Sequence, residues 1–263
     1  TGDGIAAVRE DILFLAKNYS FKINVNSFRL YVDRVFSKVG FGTVVTGTVQ
    51  SGNLTVGDEL EIFPNKIKTK VRGLQSHGGS IKNISIGQRA ALNLTNVNKG
   101  EIKRGAVLST LDSLKLTKKI ICHITLVKST NWIIKSKQRL RFHLGTGEFF
   151  GRVTPCNYSK ISKGVSDNAI IEFETDVAVL MNDRILIRSY SPMETIAGGI
   201  VINTHPIGNN SKMRLNGGKI PLDIKRRFYY FVILNWRHPK SIISWGSYLL
   251  LDIKTIKKWV KSN

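Results

Sequence analysis

Acidic residues are scarce in this chain. Its 263 residues include 18 Asp and Glu against 40 Lys and Arg, a formal charge of +22. That balance argues against a halophilic protein and toward a polyanionic partner. Lysine supplies 25 of the 40 cations, and AT-rich coding alone raises lysine, so charge carries only part of the argument. Cysteine is nearly absent. Cys122 and Cys156 cannot make a disulfide framework or a zinc knuckle, and they fit a reducing compartment. The histidines (His77, His123, His143, His205 and His238) are scattered, with no metal-ligand spacing, so no metal centre is expected. Long apolar runs are missing too. The longest, Phe228 to Leu234, suits a core and not a membrane span. No signal peptide opens the chain, so a cytoplasmic protein without a membrane partner is expected.

Catalytic motifs are equally sparse. No Gly-x-x-x-x-Gly-Lys-Ser/Thr phosphate loop occurs, since Gly218-Lys219 is followed by Ile220 and lacks the earlier glycine. There is no nucleophile elbow and no Cys/His signature. Asn98-Lys-Gly-Glu101 ends in Glu where a guanine reader carries Asp, and it reads as a turn. The chain itself is expected to be neither an enzyme nor a cofactor binder.

What is present is strand patterning. At 42% hydrophobic and a mean hydropathy of -0.07 the chain is globular. Asp3 to Ala16 has helical spacing in Ile5, Val8, Ile12 and Leu15, and a polar turn, Lys17 to Ser20, follows. Short strands come next: Phe28-Arg-Leu-Tyr-Val, Thr43 to Val49 and Glu59 to Phe63. Gly40-Phe-Gly42, Ser51-Gly-Asn, Val56-Gly-Asp and Gly78-Gly79 punctuate them. A second set covers Lys119–Val127, Gln138–Leu144, Phe149–Val153, Ala169–Phe173 and Arg184–Arg188, ending at Gly199-Ile-Val-Ile. Strands this short and close predict a mostly β protein of two consecutive barrels.

After Pro206 the composition shifts. Gly208-Asn-Asn-Ser and Asn216-Gly-Gly read as a linker. Lys225–Trp236 and Asp252–Lys261 read as helices with Trp245-Gly-Ser between them, and Trp236, Trp245 and Trp259 are assigned to their core. Residues 206–263 carry twelve Lys and Arg against two Asp. That tail suits either an incomplete helical domain or the solvated face of a helical hairpin.

One segment is specific. Phe28-Arg-Leu-Tyr-Val-Asp33-Arg34 leads through Gly40-Phe-Gly42 into Thr43-Val-Val-Thr-Gly47. Val56-Gly-Asp-Glu-Leu, Ile86-Gly-Gln-Arg89-Ala and Ile102-Lys-Arg-Gly105-Ala-Val-Leu follow in order. Phe142-His-Leu-Gly-Thr and Arg188 with Thr195-Ile-Ala-Gly-Gly-Ile-Val come later. This series resembles the second and third domains of a translational GTPase. The Asp33-Arg34 pair, Arg89, Leu144-Gly-Thr-Gly-Glu-Phe-Phe-Gly-Arg152 and Ser191-Pro-Met-Glu-Thr-Ile-Ala-Gly-Gly resemble the selenocysteine-specific elongation factors within it.

The resemblance implies a division into four parts. Residues 1–20 would end a GTP domain, 21–114 and 115–205 would be barrels, and 206–263 would be a linker and the start of a winged-helix domain. It implies partners as well: selenocysteinyl-tRNA, the ribosome, and a structured mRNA element read by C-terminal domains beyond this segment. The factor would act as a monomer, with GTP and magnesium bound outside this segment. Asp33, Arg34 and Arg89 become the aminoacyl site. His77, Arg139, Arg141, Arg152 and Arg188 become candidate tRNA contacts. Physical chemistry agrees with the first set. A selenol is ionised at neutral pH and the serine hydroxyl is not, so fixed guanidinium charge separates them.

Plainer readings stand beside each. Asp33-Arg34 as an exposed pair would be worth at most about 1 kcal/mol. His77 would be a surface-loop histidine, and the barrel arginines a solvated strand face. At the level of the whole chain, the alternatives are a general aminoacyl-tRNA carrier, a protein like the gamma subunit of initiation factor 2, or a non-catalytic β-barrel RNA-binding module.

Overall fold

The computed structural model describes residues 2–18, 27–38, 40 and 42–261. The end of the expected polar turn, the start of the first barrel region near residue 21, and Phe41 of the Gly40-Phe-Gly42 turn lie outside the described residues.

Helix α1 (Ile5–Asn18) comes first and buries none of its side chains among the described residues. Ten strands follow: β1 (Arg29–Tyr31), β2 (Arg34–Lys38), β3 (Gly42–Ser51), β4 (Asn53–Thr55), β5 (Glu59–Phe63), β6 (Ile67–Ser76), β7 (Gly79–Ile81), β8 (Asn83–Ser85), β9 (Arg89–Leu94) and β10 (Val107–Thr110). The order β1-β10-β5-β6-β9-β3 closes on itself through β1–β3 pairing, with β2 added outside β3 and β7 outside β6. Alternation drives this closure. Val45, Val49, Leu60, Ile62, Leu74 and Leu92 point inward and fill the barrel, while their neighbours face out. Asn98 begins the 3-10 turn Lys99–Glu101, where the Glu101 carboxylate accepts from the Asn98 amide at 2.7 Å.

The second barrel uses β11 (Leu116–Leu126), β12 (Ile134–Lys135), β13 (Gln138–Leu144), β14 (Gly147–Pro155), β15 (Lys160–Ile161), β16 (Ser166–Ala178), β17 (Arg184–Arg188) and β18 (Thr195–Asn203). Its closed order is β11-β16-β14-β13-β17-β18. Phe142, Phe173, Ile120 and Ile187 lie in its core.

The barrels meet over a mixed seam. Tyr31, Phe63, Val107, Leu114 and Ala178 form its apolar part. The Thr146 hydroxyl donates to the Val32 carbonyl at 2.6 Å. Gly145 has φ of +56°, and a Cβ there would sit 2.3 Å from the Tyr31 ring, so the approach requires glycine on both counts. Arg29 crosses the seam. Its Nη1 and Nη2 donate to Asp183 Oδ2 and Oδ1, each at 2.7 Å. The Tyr31 hydroxyl donates to the same carboxylate at 3.2 Å. Burial opposes the Arg29 charge, the carboxylate more than offsets it, and the pKa moves up.

The tail departs from expectation. The segment read as a linker contains α2 (Asn210–Gly218), capped by the Asn209 side chain accepting from the Lys212 amide at 2.9 Å. Its two terminal glycines hid a packing role. A Cβ on Gly217 would lie 2.9 Å from Ile121 Cδ1, so the helix end presses directly on the barrel. The segment read as a break at Trp245-Gly-Ser is α4 (Ile242–Leu249), capped by Ser241 and burying Trp245 and Leu249 one turn apart. Helices α3 (Ile224–Leu234) and α5 (Ile253–Lys261) lie on either side of it in sequence. Trp245 and Trp259 pack as assigned, but Trp236 is 70% exposed because α3 stops before it. Ile121, Ile170, Met181 and Ile202 of the barrel share one apolar cluster with Met213, Phe228, Phe231 and Leu249 of the helices.

Arg227 is buried and makes no ion pair among the described residues, with the Asp223 charge acting on it only from farther away. It donates to the Pro221 and Leu222 carbonyls and to Asn182 Oδ1. Burial pushes its pKa down to about 10.

Replacing Asp183 with Asn leaves the Arg29 charge buried and uncompensated. We expect a loss of about 3–5 kcal/mol in urea unfolding. A loss below about 1 kcal/mol would mean that the pair behaves as a surface contact.

Candidate aminoacyl site and RNA-facing surfaces

The candidate residues sort onto two barrel faces. On the first barrel, β2 and β9 flank β3, with Arg34 opposite Thr46 and Arg89 opposite Thr48. Val35 and Ala90 turn into the core, so Arg34 and Arg89 both project outward, one cross-strand row apart. Arg89 reaches across β3. Its Nη2 donates to Asp33 Oδ2 at 2.8 Å. Arg104 Nη2 lies 3.8 Å from Asp33 Oδ1. Arg34 follows Asp33 directly and has no carboxylate within ion-pair distance among the described residues.

Two guanidiniums thus contact one carboxylate, and the charge of a third, Arg34, acts on it from farther away. The hydrogen bond from Arg89, then the charges of Arg89, Arg104 and Arg34, hold the Asp33 pKa below the usual carboxylate range. The site therefore keeps surplus positive charge at neutral pH. Arg104 was not singled out in the sequence, although it stands inside the quoted Ile102-Lys-Arg-Gly105 match. Only the loop between β9 and β10 reveals that it returns to Asp33.

The same outer face carries an open groove of about 490 Å³ lined by Phe36, Val44, Arg72, Gln75, Ala91 and Asn93. Cross-strand register explains its position. Thr46, opposite Arg34, pairs with Ala91, which in turn pairs with Gln75. His77 and Gly78 form the hairpin between β6 and β7, with φ of +50° and +82°. The Ser76 hydroxyl donates to the Arg89 carbonyl at 2.8 Å, which sets this hairpin beside the Arg89 end of β9.

On the second barrel, Arg139 is opposite Arg152, and Arg141 is opposite both Phe150 and Arg188. The four arginines share one outer face. Two of them are matched by carboxylates. Arg139 Nε and Nη2 donate to Glu174 at 2.6 and 2.9 Å, and Arg141 Nη1 donates to Glu148 at 2.8 Å. Arg139 and Arg141 also stand over the Phe150 and Tyr190 rings, 4.7–5.3 Å from the centroids. Arg152 Nη1 donates to the Lys137 carbonyl and Arg188 Nε to Thr195 Oγ1. The two aromatic rings were not among the sequence candidates, because a lone Phe or Tyr on a strand usually packs a core.

Among the described residues, no group of three or more His, Cys, Asp or Glu could hold a metal ion. Nor is any described helix long and apolar enough to cross a membrane.

Two closed barrels in series, with arginines on the outer face of each, match what the resemblance to the translational GTPases leads one to expect. Comparison with known proteins agrees. The family described as Elongation factor Tu domain 2 matches residues 42–109. The family described as Selenocysteine-specific elongation factor, beta-barrel domain, matches residues 119–207. The first barrel thus belongs with the domain 2 family of elongation factor Tu, and the second with the barrel family of the selenocysteine-specific elongation factors. The selenocysteine-specific elongation factor of Desulfomicrobium baculatum is 35% identical over 208 residues, covering 79% of this chain and 32% of that protein. That of Escherichia coli is 32% identical over 208 residues, covering 78% and 31%. The chain therefore spans about a third of the length of these relatives. The apo structure of translation elongation factor SelB from Methanococcus maripaludis superposes with a TM-score of 0.65 at 25% identity, over 78% of this chain and 49% of that one.

The Asp33 environment generates a direct expectation. In a carboxyl-resolved NMR titration, Asp33 should titrate below the usual range, and Arg89→Ala should move it upward. An unchanged Asp33 in that variant would mean that the ion pair does not form in solution.

Proposed function

We propose that the chain is the aminoacyl- and tRNA-binding portion of a GTP-dependent elongation factor that carries selenocysteinyl-tRNA to the ribosome. The observation that carries this reading is the cluster of Arg34, Arg89 and Arg104 around Asp33 on an open face beside a groove. In this reading the selenolate meets the guanidiniums and the amino group meets Asp33, whose carboxylate also keeps Arg89 oriented. Serine offers no anion, so the cations remain uncompensated when it occupies the site. His77, Arg139, Arg141, Arg152 and Arg188 would meet tRNA phosphates, which fix position and not sequence.

The GTP and magnesium site belongs to a domain outside this segment, and residues 1–20 would close that domain. Residues 21–114 and 115–205 would be the working barrels. The tail from 206 would begin the winged-helix domains that read a structured mRNA element. The full-length factor would be a cytoplasmic monomer.

The test is tRNA discrimination by the full-length factor. Arg34→Ala or Arg89→Ala should weaken selenocysteinyl-tRNA binding by about 1.5–3 kcal/mol, the range for hydrogen bonds to charged groups. Seryl-tRNA binding should barely change. The two substitutions should be non-additive because they share one anion. Equal losses for both tRNAs would make these arginines phosphate contacts or supports of the fold. A second reading, a general aminoacyl-tRNA carrier, draws on a shorter similarity: Elongation factor 1-alpha of Pyrobaculum arsenaticum is 34% identical over 100 residues. It predicts no preference between the two tRNAs.

A further inference from the structure

The seam between the second barrel and the tail helices holds a cavity of about 500 Å³ that the aminoacyl site does not use. Its floor is rigid. Phe231 and Trp245 stack at 6.4 Å and 9°, and the Tyr248 hydroxyl donates to Asn203 Oδ1 of β18 at 2.8 Å. Its rim is open and apolar in an unusual way. Trp236 is 70% exposed and Ile207 is 81% exposed, both beside the cavity. Singly exposed apolar residues are ordinary, but an indole at the mouth of an aromatic-floored cavity is a stacking surface.

The charge is one-sided. Lys212, Arg237, His238 and Lys240 line the rim, and no acidic side chain does so among the described residues. None of these four makes an ion pair among the described residues. The two acids of the tail are committed elsewhere. Asp223 caps α3 by accepting from the Arg226 amide at 2.8 Å, and Asp252 accepts from the Lys254 amide at 3.2 Å. Arg237 already lies over the Trp236 ring at 5.0 Å, and Lys240 over Tyr248 at 4.8 Å. Two of the four cations, Arg237 and Lys240, are therefore held next to a ring. A nucleotide presents the complement of that arrangement, a flat base joined to an anionic phosphate.

We propose that this seam binds a nucleotide of a single-stranded RNA segment, with its base on Trp236 and its phosphate against Arg237, His238 and Lys240. Bases inside a duplex are already stacked and cannot enter such a cavity, whereas an unpaired base can be splayed onto an aromatic side chain. The volume falls in the range that encloses a small ligand. An acidic peptide would satisfy the cations but leave the indole without a planar partner. This site is separate from the aminoacyl face and does not depend on that reading.

The test uses the 263-residue chain and a short fluorescein-labelled oligouridylate, followed by fluorescence anisotropy at several salt concentrations. The expected result is saturable binding that weakens with salt. Trp236→Ala should weaken it by about 10-fold, the scale of one lost base stack. Lys240→Ala should weaken it and lower the salt slope by about one. Both positions lie at the cavity mouth, and circular dichroism checks that each variant keeps its fold. Lys163→Ala, on an exposed loop of the second barrel, should leave binding unchanged. Absence of binding, or wild-type affinity in Trp236→Ala, overturns the proposal. So does equal binding of a blunt RNA duplex, which would indicate a generic polycation. A polyglutamate peptide bound as tightly as the RNA would assign the seam to an acidic protein segment and overturn it as well.

Discussion

The Arg29–Asp183 pair is the constraint on which the rest of the molecule depends. Each group is nearly buried, and either one alone would be an uncompensated charge in a low-dielectric seam. Together they require the first barrel to meet the second at one place, with Tyr31 donating to the same carboxylate. Asp183 also accepts from the Leu180 amide at 2.8 Å, so it fixes the shape of its own turn. The adjacent Asn182, held at φ of +65°, receives Arg227 from α3. One four-residue turn thus contacts the first barrel, belongs to the second, and accepts from the helices. The apolar clusters supply most of the contact area, but area is non-directional. The charged and amide groups of this turn supply the direction.

With the barrels fixed in this way, their outer faces acquire different electrostatic characters. The first pairs Arg89 and Arg104 with a single carboxylate, Asp33, leaves Arg34 without an ion pair among the described residues, and retains surplus charge beside a groove. The second balances Arg139 with Glu174 and Arg141 with Glu148, and stacks both arginines on Phe150 and Tyr190. A surplus of unmatched cations at an open face favours a small anion that arrives with its own charge. A matched, ring-supported lattice of arginines favours an extended surface, where several weak contacts add. Under the proposed function, this separation would divide labour between an aminoacyl group and the body of a tRNA.

Much of this was legible in the sequence. Glu59–Phe63, Gln138–Leu144 and Arg184–Arg188 were read to the residue, because alternation and bounding turns agree there. The outward face shared by Arg34 and Arg89 follows from the same period of two. The tail was harder. Helix α2 ends in Asn216-Gly217-Gly218, a composition that reads as linker, and its stability comes from packing on Ile121 and Cys156, which sequence does not display. Helix α4 contains Gly246 between two buried apolar residues, so its interior mimics a break. Arg104 and Asp183 were hidden for a related reason. Each acts on a partner far away in sequence, and only barrel closure brings the partners together. Trp236 was misassigned to a core because a tryptophan is usually buried, and nothing local announces that α3 ends two residues earlier.

The central claim is that the first barrel reads an anion by fixed guanidinium charge. Cysteinyl-tRNA isolates that variable, since its thiol has the shape of a selenol but an ordinary pKa near 8.5. The decisive measurement is the affinity of the full-length factor for cysteinyl-tRNA and seryl-tRNA, each as a hydrolysis-resistant amide, from neutral pH to about one unit above that thiol value. The account predicts that cysteinyl-tRNA binds progressively tighter as its thiolate forms, while seryl-tRNA stays level. Parallel, pH-independent affinities for the two would contradict it, because the pocket would then be selecting shape and not charge.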